Sequence, residues 1–102
     1  MKKLYRLSRS EDKLEWIECT GTEVKVEGYI LYYVKNVKFY GYYSNCLIEP
    51  RTGISVAQGK TKNLCTEDFK RNLQKIGHDD FEKQITECIK KYGESPLYNK
   101  TV

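Results

Sequence analysis

The sequence predicts an α+β fold: an antiparallel, meander-like sheet of about five strands, followed by two C-terminal helices packed on one of its faces. Three observations carry that expectation. Side chains alternate with a period of two in the first part of the chain, most clearly from Glu23 to Val34. The period becomes helical beyond Gly59-Lys60-Thr61, so the strands precede the helices instead of alternating with them. Two amphipathic runs after Thr66 each end on a glycine, Gly77 and Gly93. With 102 residues the chain forms one domain: a sheet over 1–59, helices over 66–92 and a tail over 94–102.

The elements follow in order. Leu4 to Leu7 and Leu14 to Cys19 are short β-prone runs around the polar turn segment Arg9-Ser10-Glu11-Asp12, and they read as a first hairpin. Thr20-Gly21-Thr22 breaks the pattern before the long alternating run. There Val24, Val26, Gly28, Ile30, Tyr32 and Val34 share one face, and Glu23, Lys25, Glu27, Tyr29, Leu31 and Tyr33 share the other. Lys35-Asn36 is the expected reversal, because asparagine tolerates the positive φ of a tight hairpin turn. A turn there sets Val34 against Val37 and Tyr32 against Phe39, with Lys38, Tyr40 and Tyr42 facing outward. Glu49-Pro50-Arg51-Thr52-Gly53 is a further turn, and Ile54 to Ala57 a last strand ending at Gly59.

Thr66 is the expected N-cap of the first helix, with Glu67 and Asp68 favourably placed in its first turn and Phe69, Leu73 and Ile76 on its apolar side. Asp79 is the expected cap of the second, with Glu82 three residues on and Phe81, Ile85, Cys88, Ile89 and Tyr92 along one face. The tail packs through Leu97 and Tyr98. Two short helices cover one sheet face only, and Val24, Val26, Ile30, Val37 and Phe39 mark the covered one. Burying each large apolar side chain is worth about 1.5–3 kcal/mol. The predicted open face therefore carries Tyr29, Leu31, Tyr33, Tyr40 and Tyr42 with Lys25 and Lys38, and these seven are the candidate binding residues.

Composition narrows the function classes. Hydrophobic residues at 39% and charged residues at 31% suit a folded soluble chain. The amino terminus lacks the apolar run of an export signal, and no stretch has the ~20 apolar residues of a membrane span, so a cytoplasmic protein is expected. Cys19, Cys46, Cys65 and Cys88 are separated by 27, 19 and 23 residues, with no Cys-x-x-Cys pair, and read as reduced core thiols. The net charge of +4 leans towards an acidic partner. It is diffuse, with local concentrations only at Lys60/Lys62, Lys70/Arg71 and Lys90/Lys91, each equally a solvated surface.

No set of residues for catalysis, metal or cofactor binding emerges. His78 is the single histidine, and with Asp79 and Asp80 it reads as a helix boundary. Gly53 and Gly59-Lys60-Thr61 enclose five residues where a phosphate-binding loop needs about four, so nucleotide hydrolysis is not expected. The chain is expected not to be an enzyme.

Lys38-Phe39-Tyr40-Gly41-Tyr42-Tyr43-Ser44-Asn45 resembles the first ribonucleoprotein motif of RNA-recognition domains at Lys38, Tyr40, Gly41 and Tyr42. It departs at Phe39, Tyr43 and Asn45, and no helix precedes the strand. The resemblance implies aromatic stacking on unpaired bases. Residues 49–65 are similar to a hairpin-then-helix pattern of small uncharacterised proteins from Gram-positive bacteria and their phages, which implies a small α+β fold of a mobile element. The leading expectation is a non-enzymatic protein whose tyrosine face docks on a protein partner, an anti-CRISPR-like inhibitor of a host defence protein. The alternatives are binding of single-stranded nucleic acid or a nucleotide by stacking, and homodimerisation through an ordinary structural tyrosine face.

Overall fold

A computed structural model describes residues 1–10, 13–39 and 41–96, the side chains of Arg9, Ser10, Lys13 and Phe39 excepted. Its elements are β1 (Lys2–Ser10), β2 (Lys13–Val26), β3 (Tyr29–Phe39), β4 (Tyr42–Ile48), β5 (Ser55–Gly59), α1 (Lys62–Ile76) and α2 (His78–Tyr92). The strands form one antiparallel meander in sequence order. This is the expected α+β architecture. No helix among the described residues is long and apolar enough to cross a membrane.

The turns lie elsewhere than expected. Thr20-Gly21-Thr22 does not end the strand, because β2 continues through it, pairing with β1 up to Gly21 and with β3 from Thr22. The reversal comes at Glu27-Gly28, where φ is 52° and 84°, the left-handed pair of a tight two-residue hairpin. Val26 then pairs with Tyr29, so both point to the same side. Every residue from Tyr29 to Val34 is therefore on the opposite face from an unbroken alternation. Leu31 and Tyr33 thus join Val24 and Val26 under the helices, while Ile30 is exposed.

Lys35-Asn36 is a bulge within β3, not a turn. Asn36 takes the left-handed conformation expected of it, at φ 56°, and its N–H donates to Asn45 Oδ1 at 3.0 Å. The bulge leaves Val34 and Val37 on the same side, as expected, but within one strand. Phe39 pairs with Tyr42, which sets the next reversal between them. Tyr40 lies outside the described residues.

Both faces of the sheet are covered. On one side α1 and α2 contribute Cys65, Phe69, Leu73, Phe81 and Ile85 to a core with Val26, Leu31, Tyr33, Leu47 and Ala57. On the other, Leu4 packs with Tyr32, Val34, Val37, Cys46 and Ile48. β1 is no neighbour of β3 or β4 in the strand order, so the β1–β2 hairpin must fold over the sheet to bring Leu4 there. Gly21 permits the bend: a Cβ there would stand 3.1 Å from Tyr32 Cβ, Tyr33 O and Val34 Cγ2. The predicted uncovered face is therefore replaced by a second, smaller core.

The free edge of β5 is closed by α1. Asp68 Oδ2 accepts from the Gln58 N–H at 3.0 Å, and Asn72 Nδ2 donates to the Val56 carbonyl at 3.2 Å. One helical turn apart, the two side chains face the strand together. The helix starts earlier than expected: Thr61 is its N-cap, its Oγ1 accepting from the Leu64 N–H at 3.1 Å, whereas the Thr66 hydroxyl donates to the Lys62 carbonyl. Gly77 ends α1 and serves as N-cap of α2, so Asp79 stands in the first turn instead of capping it. Gly93 ends α2 as expected, and the Ser95 N–H donates to the Arg51 carbonyl at 2.8 Å. The expected packing of Leu97 and Tyr98 falls outside the described residues.

Candidate binding surface at the lysine-bearing end of the sheet

The six candidate residues that the structure describes do not form one surface, and Tyr40 lies outside the described residues. Tyr29 points inward, edge-on to Phe69 and Phe81 at centroid distances of 5.9 and 4.9 Å and stacked on His78 at 5.6 Å. Burial pushes its hydroxyl up from the usual range, helped by the Glu82 carboxylate that it meets. Leu31 is fully buried and Tyr33 is 9% exposed. Lys25, Lys38 and Tyr42 are exposed, but Lys25 pairs with Ile30 at one end of β3 while Lys38 lies at the other. Eight residues of strand at about 3.3 Å each set them about 25 Å apart. The Glu27-Gly28 turn is the physical reason, since it inverted the parity on which the face was read.

The register builds a different cluster. Lys38 pairs with Tyr43, and Asn45 pairs with Gly59, which brings Lys60, Thr61 and Lys62 to the end of the sheet that carries the β3–β4 turn. Asn45 organises this end. Its Oδ1 accepts from Asn36 N–H, and its Nδ2 donates to Tyr33 Oη at 3.0 Å and to the Lys60 carbonyl at 2.9 Å. The bulge, the core tyrosine and the β5–α1 link are thus held by one amide. Gly59 is required there, because a Cβ would stand 2.8 Å from Cys65 N. The Cys65 thiol donates to the Asn45 and Gly59 carbonyls, each at 3.6 Å.

The segments that form this end are basic, and the acids Glu67 and Asp68 follow further along α1. Segments 35–45 and 59–66 contain Lys35, Lys38, Lys60 and Lys62 and no Asp or Glu. All four lysines are exposed, and none is in an ion pair among the described residues. The first turn of α1 holds no acid, whereas that of α2 holds Asp79 and Asp80. A lysine at a helix start opposes the macrodipole by about 0.3–1 kcal/mol, so this arrangement is not one that stability favours. Tyr43 at 67% and Tyr42 at 50% exposure flank the lysines, with Leu64 at 51% on the first turn of α1. Tyr42 donates to Gln58 Oε1 at 3.2 Å. Tyr43, a departure from the ribonucleoprotein-like pattern, is thus exposed beside Lys38, with which it pairs. Tyr43, Lys60 and Lys62 were missed as a site, although the acid-free segments are legible in the chain.

The opposite end carries a buried polar knot. The Glu49 carboxylate accepts from the N–H and hydroxyl of Thr52, each at 2.9 Å, and from Arg51 Nε at 2.9 Å. Arg51 reaches on to both Glu82 oxygens at 3.4 Å. Burial opposes the charge on Arg51, but the hydrogen bonds to Glu49 and Glu82 outweigh it and raise its pKa. Burial also pushes up the thiols of Cys19 and Cys65, and that of Cys46 to about 11, so these three stay protonated at neutral pH. None of the four cysteines is joined in a disulfide. Among the described residues no group of three or more His, Cys, Asp or Glu side chains is placed to hold a metal ion.

No protein-family model matches the chain, nor does any curated protein or solved structure. The functional reading therefore stands on its residues.

Proposed function

We propose that this is a non-enzymatic binding protein that engages a polyanion, single-stranded nucleic acid, through the lysine-bearing end of its sheet. The observation that carries this reading is the convergence of four exposed lysines, none in an ion pair among the described residues, with two exposed tyrosines on segments 35–45 and 59–66, which carry no acid. Lysines neutralise phosphates and release counterions, while tyrosine rings stack on unpaired bases at about 1–3 kcal/mol each. Tyr42 and Tyr43 point to opposite sides of β4, so a strand crossing the turn meets one ring on each side.

Fluorescence anisotropy with a labelled single-stranded oligonucleotide across a salt series tests it. Four neutralised phosphates give a slope of log K against log salt of about −3. Lys60→Ala with Lys62→Ala flattens that slope by about half, whereas Tyr42→Ala with Tyr43→Ala weakens binding without changing it. Absent or salt-insensitive binding refutes the proposal.

Exposed Leu64 favours a second reading, because a phosphate backbone has no use for an apolar side chain amid its cations. In that reading the same end docks on an acidic protein surface, as a phage or mobile-element inhibitor of a host defence protein would. It predicts a stoichiometric complex from host lysate that Tyr43→Ala and Leu64→Ala abolish together and that oligonucleotide does not displace.

A further inference from the structure

Away from the lysine-bearing end, the helices do not close completely on the sheet. Phe69 and Leu73 of α1, Phe81 and Ile85 of α2, and Ile54 and Val56 at the edge strand line a groove of about 320 Å3 that is broadly open to solvent. At about 30 Å3 for each non-hydrogen atom, the share of a water molecule in the liquid, it holds about ten such atoms. That volume falls at the lower end of the ~300–1,000 Å3 of small-molecule sites.

Its polar groups are few. Asn72 is fixed by its bond to the Val56 carbonyl and the Ser55 hydroxyl by its bond to the Ala57 carbonyl, at 3.2 and 3.3 Å. Lys75 and Gln84 are exposed and line the cavity from the two helices. Lys75 is the only charged residue of the lining and is in no ion pair among the described residues. Apolar walls with a single unopposed cation complement an apolar body that ends in a negative head.

We propose that this groove binds a small amphipathic organic anion, an acyl or aromatic carboxylate of about ten non-hydrogen atoms, with its carboxylate on Lys75 and its apolar part between Leu73, Phe81 and Val56. The site is separate from the nucleic-acid surface. Leu73 lies eleven residues beyond Lys62 on α1, about 16 Å along the helix axis.

Octanoate is the probe, titrated into the isotope-labelled protein and followed by amide chemical shifts. Saturable shifts are expected over residues 54–56, 72–76 and 81–85. Lys75→Gln is expected to weaken octanoate about tenfold while leaving the weaker binding of octanol unchanged. Gln84→Trp, which plugs the mouth from a surface position, is expected to abolish both without lowering Tm. Failure to saturate, shifts that map elsewhere, octanol binding as tightly as octanoate, or retained binding in Gln84→Trp would each overturn the proposal.

Discussion

Arg51→Met tests the polar knot that ties the β4–β5 loop to α2. The Glu49 side chain is 3% exposed and lies 2.9 Å from the Arg51 guanidinium. The substitution keeps the aliphatic stem and removes the cation. Loss of a hydrogen bond to a buried charge costs about 1.5–3 kcal/mol, and an uncompensated buried carboxylate brings the total to about 3–5 kcal/mol. Glu82 adds little, because it is 48% exposed and 3.4 Å away, and exposed pairs are worth at most about 1 kcal/mol. Against a typical total of about 5–15 kcal/mol, the loss is severe. Glu49→Gln removes the charge instead, and the double variant is expected to lose less than the two single losses added together. The assay is equilibrium urea unfolding followed by the fluorescence of Trp16, which lies against the Gly53 turn. A loss below about 1 kcal/mol would refute this account of the loop.

Three further outcomes are expected. Gly53→Ala should destabilise far more than Gly28→Ala: a Cβ at Gly53 would stand 2.8 Å from Tyr5 O and Trp16 with φ at 72°, whereas the space around Gly28 is open and only the positive φ opposes it, at about 1–2 kcal/mol. Chemical unfolding of both variants ranks them. Asn45→Ala should loosen the bulge, the Tyr33 hydroxyl and the Lys60 link together, read as faster amide hydrogen exchange at Asn36. Cys46, raised from 9.0 to about 11, favours the folded state fully below about pH 9, and that contribution is lost as pH rises through about 11. Cys46→Ala should flatten the alkaline limb of the stability curve, measured by urea unfolding between those values.

The order of elements was legible because it depends on local signals. The glycines at 77 and 93, the turn at 49–53 and the helical spacing of Phe69, Leu73, Phe81 and Ile85 all act within a few residues. The faces were not, because glutamate at positive φ is rare and Glu27-Gly28 gives no standard hairpin signal. Asn36 was recognised as left-handed, but a turn and a bulge ask the same of asparagine. A better clue was the unbroken run Tyr29 to Val34, since a strand buried on both sides needs no alternation. Thr66 outranked Thr61 as a cap only because the contact between Gly59 and the start of α1 is tertiary. The lysine cluster depends on the Asn45–Gly59 register, which no local pattern specifies.

The two side chains that close the edge of β5 have a consequence for how the chain folds and how it fails. Until α1 docks, the amide of Gln58 and the carbonyl of Val56 present a strand edge on which a second molecule can add its own strand. The helix follows that strand directly, so during synthesis the exposed interval lasts only until Asn72 has emerged and the helix has wound. A variant such as Asp68→Ala with Asn72→Ala lengthens that interval without touching the core. Its characteristic failure would be strand-exchanged oligomers or fibrils from a monomer whose interior packing is intact.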